Sequence, residues 1–160
     1  MRQFSTPIER LPRLSEEIGG PTIWVKRDDC TGLAFGGNKA RQLEYYIGEA
    51  VRDNADTLLI TSAVQSNYSR SAVAAARKYG MDAEVQLEER VPDRPSEYYK
   101  SGNPFLSKLM GAHTFTYPEG EDEEGADNEV FKRAEELKKK GKRPYVIPLA
   151  GTHIPLGSLG

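Results

Sequence analysis

Thr57-Leu58-Leu59-Ile60-Thr61, then Ser66-Asn67, then an alanine-rich stretch running to Tyr79-Gly80, is the segment that decides the fold. A short unbroken apolar run suits a parallel strand covered on both faces. Ser66 and Asn67 are preferred helix caps, so a helix is expected to open there. Gly80 stands where a helix stop belongs, just past the last helical residue.

The same alternation continues on both sides. Upstream, Thr22-Ile23-Trp24-Val25-Lys26 follows a Gly-Gly-Pro turn signal and reads as a strand. Gly36-Gly37 breaks the chain. Asn38 can then cap a helix that places Leu43, Tyr46, Ile47 and Ala50 on one face. Downstream, Ala83 to Leu87 reads as a strand, residues 92 to 102 as a polar loop, and Phe105, Leu106, Leu109 and Met110 as a short helix stopped by Gly111. Thr114 to Tyr117 is a further strand. Val130, Phe131, Ala134 and Leu137 mark a helix whose basic end, Lys138-Lys139-Lys140, suits the negative pole of its dipole. Tyr145-Val146-Ile147 is the last strand. Strands alternating with helices imply an α/β fold: an open, mainly parallel sheet flanked by helices. The chain stops in a glycine-rich stretch, Gly151 to Gly160, with no finished element after it, which leads us to expect the N-terminal part of a longer chain.

Composition narrows the function. The chain has 160 residues, 38% of them hydrophobic and 29% charged, as in a globular domain. Its net charge of −2 gives no general attraction to nucleic acid or an anionic membrane. No apolar run is long enough to span a bilayer, and the N-terminus lacks the apolar core of a secretory signal. One cysteine, Cys30, cannot make an internal disulfide, which fits a cytoplasmic setting. His113 and His153 lack the spacing of a metal-ligand cluster, so no metal is expected.

Two segments carry chemistry. In Gly36-Gly37-Asn38-Lys39, paired glycines let the backbone turn tightly before a helix from whose first turn Lys39 projects. A lysine there sits at the positive pole of the helix, and burial beside a cofactor would lower its pKa further, as imine chemistry requires. Gln65-Ser66-Asn67-Tyr68 follows a buried strand, and strand-to-helix loops at the carboxyl edge of a parallel sheet bind ligands. Backbone N–H groups opening that helix suit an anion such as a carboxylate. Taken singly, each segment also reads as an ordinary capped turn with a solvated lysine. Their combination is far more specific.

Together with Thr6-Pro7-Ile8-Glu9, Lys26-Arg27-Asp28-Asp29, Pro144 to Pro148 and Pro155-Leu156-Gly157, these segments make the chain resemble the D-cysteine desulfhydrase and 1-aminocyclopropane-1-carboxylate deaminase family. That family lies within the tryptophan-synthase-β-like, fold type II pyridoxal-phosphate enzymes. The resemblance implies pyridoxal 5′-phosphate as cofactor, with Lys39 as the Schiff-base lysine and proton carrier. Asn38 would shape the cofactor pocket, and Asn67 would hydrogen-bond the cofactor's phenolic oxygen. Ser66 and its neighbouring N–H groups would hold the substrate carboxylate. Asn67 and Tyr68 would also line the substrate side. Tyr68 departs from the His or Gln common in relatives, which bears on substrate choice. The resemblance further implies a two-domain enzyme: residues 1–49 begin the larger cofactor domain, 50–148 form the smaller one, and 149–160 start the return. The phosphate loop and the partner of the pyridine nitrogen would lie beyond Gly160.

The expected activity is a lyase or deaminase of the full-length protein, a homodimer, eliminating sulfide or sulfite from cysteine or cysteate to leave pyruvate and ammonia. The segment Leu87-Glu88-Glu89-Arg90-Val91 resembles the L-cysteate sulfo-lyase branch. The alternatives are a 1-aminocyclopropane-1-carboxylate deaminase and a non-catalytic ligand-binding fragment.

Overall fold

The computed structural model describes residues 5–148 and 156–159. The deciding segment folds as read. Strand β3 (Thr57–Ala63) leads into helix α3 (Asn67–Lys78), which returns the chain to β4 (Asp82–Glu88). Helices α4 (Ser96–Lys100) and α5 (Gly102–Leu109) precede β5 (His113–Tyr117), and α6 (Glu123–Lys139) precedes β6 (Pro144–Ile147). These four strands form one parallel sheet in the order β5-β4-β3-β6. The chain steps outward from β3 through β4 to β5 and then crosses back to the other side of β3. The β3/β6 boundary is therefore where strand order reverses, the place where open α/β sheets bind ligands.

Helices cover both faces. On one, Leu58 and Ile60 of β3 pack with Val85 of β4 against Val73 and Ala76 of α3. Leu43, Ile47 and Ala50 of α2 (Lys39–Arg52) share that core, so the expected boundary at residues 49/50 falls within α2. On the other face, Leu59 meets Val130, Ala134 and Leu137 of α6. This is the period-two alternation of a strand buried on both sides.

Strand β4 is two-sided in another sense. Ala83, Val85 and Leu87 belong to the apolar core, whereas Glu84, Gln86 and Glu88 are equally buried but polar. Gln86 donates from Nε2 to Thr61 Oγ1 at 3.0 Å and to the Ala126 carbonyl at 2.8 Å. Glu88, wholly buried, accepts from Thr61 Oγ1 at 3.0 Å and from Arg90 Nε at 2.9 Å. Arg133 of α6 grips Glu84 with two nitrogens, at 2.7 and 3.1 Å. Buried polar groups are mostly partnered in this way, and Gln86 Oε1 is the exception on this strand.

Three expectations need correction. Residues 92 to 102 are not all loop: Ser96–Lys100 is a helix and Gly102 begins another. A strand and helix near the N-terminus, β1 (Ile8–Arg10) and α1 (Pro12–Ile18), had not been foreseen. Strand β1 pairs antiparallel with β2 (Trp24–Lys26), the core of the expected strand at 22–26. Neither β1 nor α1 buries a residue, so the hydrophobic pattern that reveals core elements was missing. Third, the closing stretch, for which the sequence suggested no element, contains at Leu156–Leu159 a turn of 3-10 helix against α2. His153 and the rest of 149–155 lie outside the described residues.

Candidate active site

Only residues 53–56 separate α2 from β3, so the helix must run antiparallel to the strand. That places the N-terminus of α2 at the carboxyl end of β3, where α3 also begins. The two motifs are thereby brought together: Lys39 Nζ stands 5.9 Å from the centre of the Tyr68 ring. Among the described residues, no carboxylate pairs with Lys39.

The loop before Lys39 is held by the charged run Lys26-Arg27-Asp28-Asp29. Asp28 takes a fork from Arg41 of α2, Nη2 to Oδ1 at 2.8 Å and Nε to Oδ2 at 3.0 Å. Arg27 bridges Glu9 and Asp29, at 2.8 and 2.7 Å, and Lys26 hydrogen-bonds Thr6. Gly36 is the closing piece. Its φ is +73°, and a Cβ there would lie 1.9 Å from the Asp29 carbonyl oxygen. Gly37 follows at φ +114° and donates its N–H to the Asp28 carbonyl at 2.9 Å. Asn38 does not act as the cap the sequence suggested. Its backbone is already helical and its side chain makes no capping bond, so α2 is started by the loop itself.

The Arg41 guanidinium holds the Asp28 carboxyl below the ordinary carboxylate range. A depressed folded-state pKa adds stability above the unfolded value of about 3.9, lost as pH falls through the folded value. Asp28→Asn lacks this contribution. The gap in melting temperature between wild type and Asp28→Asn is therefore expected to be widest above about pH 5 and to close toward pH 3. A gap independent of pH would show that Asp28 is not the titrating group.

Ser66 caps α3, its Oγ accepting from the N–H groups of Tyr68 at 3.1 Å and Ser69 at 3.5 Å. Two of the N–H groups proposed to meet a carboxylate are thus used internally. The Ser66 hydroxyl proton and the Asn67 N–H remain for an outside anion. Burial is the main cause holding the Tyr68 phenol well above its ordinary pKa, so it stays a neutral donor. Asn67 is exposed at the helix start, and its Oδ1 accepts from Arg70 Nη1 at 3.0 Å and Asn103 Nδ2 at 3.1 Å. Its Nδ2 has no partner among the described residues. A free donor at that point fits a cofactor that brings a phenolic oxygen.

Sequence reading missed Arg70 and Asn103 as parts of this site, and gave Gln65, though within the motif, no role. Gln65 donates from Nε2 to the Tyr98 carbonyl at 2.5 Å and the Ser101 carbonyl at 3.1 Å, and accepts from the Asn103 N–H at 3.2 Å. These partners are more than thirty residues away in sequence, and no local pattern signals them. Among the described residues, no cluster of three His, Cys, Asp or Glu could hold a metal, and no helix is long and apolar enough to cross a membrane.

Residues 1–157 match the family model described as pyridoxal-phosphate dependent enzyme. Curated relatives named 1-aminocyclopropane-1-carboxylate deaminase, from Bradyrhizobium diazoefficiens and Mesorhizobium japonicum, are each 43% identical over 157 residues. Those alignments cover 97% of this chain and 46% of each relative, so the chain spans about half their length. The crystal structure of an ACC deaminase homologue superposes with a TM-score of 0.84 at 40% identity, covering 98% of this chain and 45% of the other. Escherichia coli diaminopropionate ammonia lyase shares the fold at a TM-score of 0.65 and 17% identity, over 96% of this chain and 41% of the other.

Proposed function

The chain belongs to the pyridoxal-phosphate dependent enzymes, and on that premise we propose that the protein is a deaminase of a small amino acid, with 1-aminocyclopropane-1-carboxylate as first candidate substrate. Hydrolytic ring opening of that substrate gives 2-oxobutyrate and ammonia. The observation that carries the reading is the meeting of Lys39 with the first turn of α3. The names of the 43%-identical relatives favour the ring-opening substrate over cysteine or cysteate. In this reading residues 1–49 open the larger cofactor domain, 50–148 make the smaller one, and α2 passes between them.

Pyridoxal phosphate, when bound, supplies the electron sink for bond breaking at the substrate's α-carbon. Lys39 Nζ would hold the cofactor, and its amine would carry a proton to and from the substrate carbons. The Asn67 amide nitrogen would donate to the cofactor's phenolic oxygen, and Asn38 would bound the pocket. The Ser66 hydroxyl and the Asn67 N–H hold the substrate carboxylate at the positive pole of α3. The Tyr68 ring forms a wall beside Lys39.

A second reading, elimination of sulfide or sulfite from cysteine or cysteate, is favoured by one observation. The buried phenol of Tyr68 remains protonated and can donate to an anionic leaving group. Assaying 2-oxobutyrate and pyruvate from the three substrates decides between the readings. Faster 2-oxobutyrate release supports the ring-opening enzyme, and dominant pyruvate release supports the eliminating one. If Tyr68 touches the substrate, Tyr68→Gln is expected to change the ratio of the two activities by about tenfold or more. An unchanged ratio would reduce Tyr68 to a packing residue.

A further inference from the structure

The carboxamides of residues 67 and 103 share a hydrogen bond whose direction is fixed on both sides, and the carboxamide of Gln65 braces residue 103 through its backbone. At one end Gln65 donates to two backbone carbonyls, which can only accept, so its Oε1 must face the Asn103 N–H. The amide of Asn103 is set by a backbone carbonyl on one side and a guanidinium on the other. Its Nδ2 donates to the Gln65 carbonyl at 2.8 Å and to Asn67 Oδ1, and its Oδ1 accepts from Arg70 Nη1 at 2.8 Å. At the other end stands Arg70, which has no acceptor at all and also donates to Asn67 Oδ1. Rotating the Asn67 amide by half a turn would point its NH2 group at two donors. Arg70 cannot move aside easily: its Nε is buried and its guanidinium lies 5.9 Å from the centre of the Phe35 ring. The backbone allows the close approach of Gln65 to α5 because residue 102 is glycine. A Cβ there would lie 2.6 Å from Gln65 Oε1.

We propose that Asn103, with Arg70, is a positioning residue: the pair holds the Asn67 carboxamide with its oxygen inward, so that the site presents an N–H donor and never an acceptor. This rests on the reading that Asn67 meets the phenolic oxygen of the cofactor. It adds a residue from the far side of the α4–α5 turn that touches neither cofactor nor substrate. It also explains why α5 begins where it does, with Asn103 as its second residue against the start of α3.

The test is a double-mutant cycle on pyridoxal-phosphate affinity in the full protein. Asn103→Asp keeps the size of the side chain and an acceptor for Arg70. It removes the N–H that marks the Asn67 oxygen and favours the turned-over amide. Asn103→Asp and Asn67→Ala are each expected to raise the cofactor's dissociation constant about tenfold, the loss of one hydrogen bond to a charged oxygen. The double variant should bind no more weakly than Asn67→Ala alone. Arg70→Lys, still donor-only, should keep most of the affinity. In cofactor-free protein, the side-chain NH2 resonances of Asn67 should shift in Asn103→Asp while the melting temperature holds, which a purely structural role would not produce. If aspartate disturbs folding, Asn103→Ala replaces it in the same cycle, with the same expected pattern of losses. Wild-type affinity in Asn103→Asp beside a weakened Asn67→Ala, or losses that multiply in the double variant, would overturn the positioning role and leave the Asn67 contact standing. Unchanged affinity in Asn67→Ala would instead remove the Asn67 contact, and the positioning role with it, without touching Lys39.

Discussion

Lys39→Ala is expected to remove the visible absorbance that pyridoxal phosphate acquires on binding, and turnover should fall by about 10²–10⁴ or more. In the proposed reading Lys39 is both covalent anchor and proton carrier, and alanine can do neither. The loss should be chemical and not structural. Lys39 opens α2 with no ion pair among the described residues, and alanine is the best helix former, so the helix should persist. The melting temperature without cofactor should therefore stay close to that of wild type. Spectra and assays of the full protein check both halves. A variant that kept wild-type colour and turnover would refute the assignment of Lys39. So far, the support is its approach to Tyr68 and its freedom from carboxylates.

Gly36→Ala should be the most damaging single change outside the chemistry itself. The added methyl would sit 1.9 Å from the Asp29 carbonyl oxygen, a backbone atom that cannot swing away, and φ at this position is +73°. With ψ at −164°, Gly36 lies in a region of backbone space open essentially to glycine alone. Backbone strain of about 1–3 kcal/mol and a similar cost of overpacking make a loss of about 2–6 kcal/mol. Chemical denaturation of Gly36→Ala beside Gly37→Ala checks the cause. A Cβ at Gly37 meets nothing within 4 Å, so there only the left-handed φ is penalised and the loss should be smaller. Equal losses would show that the clash with Asp29 is relieved without cost. Because Gly36 sets the entry to α2, the variant should also weaken cofactor binding.

Legibility in the sequence followed the reach of each interaction. Strand β3 and helix α3 were readable because every cue was local: an apolar run, a capping serine and a glycine stop within two dozen residues. The convergence of Lys39 and Tyr68 followed from the alternation of elements alone, since a short link between α2 and β3 forces both helix starts to one sheet edge. Asn38 misled because its residue type suits a cap, while the start of α2 is made by Gly36, Gly37 and the Asp28–Arg41 fork. The Asn103–Asn67 pairing was invisible because its spacing of 36 residues follows no helical or strand period. On substrate preference, the resemblance pointed toward elimination from cysteine or cysteate, with Tyr68 as the residue proposed to bear on it. The names of the relatives point toward ring opening.

The two-sided build of β4 has a consequence for how the chain finds its native state. Were β4 to slide by a single residue against β3, every side chain would change faces. Glu84, Gln86 and Glu88 would be driven into the apolar layer beneath α3, away from Arg133, Thr61 and Arg90. Ala83, Val85 and Leu87 would meet the polar groups under α6. Two buried carboxylates, each stripped of its arginine, cost far more than any apolar burial the slipped form could regain. The central strand thus carries its own proofreading: a misaligned sheet is rejected by charge before the helices can close over it.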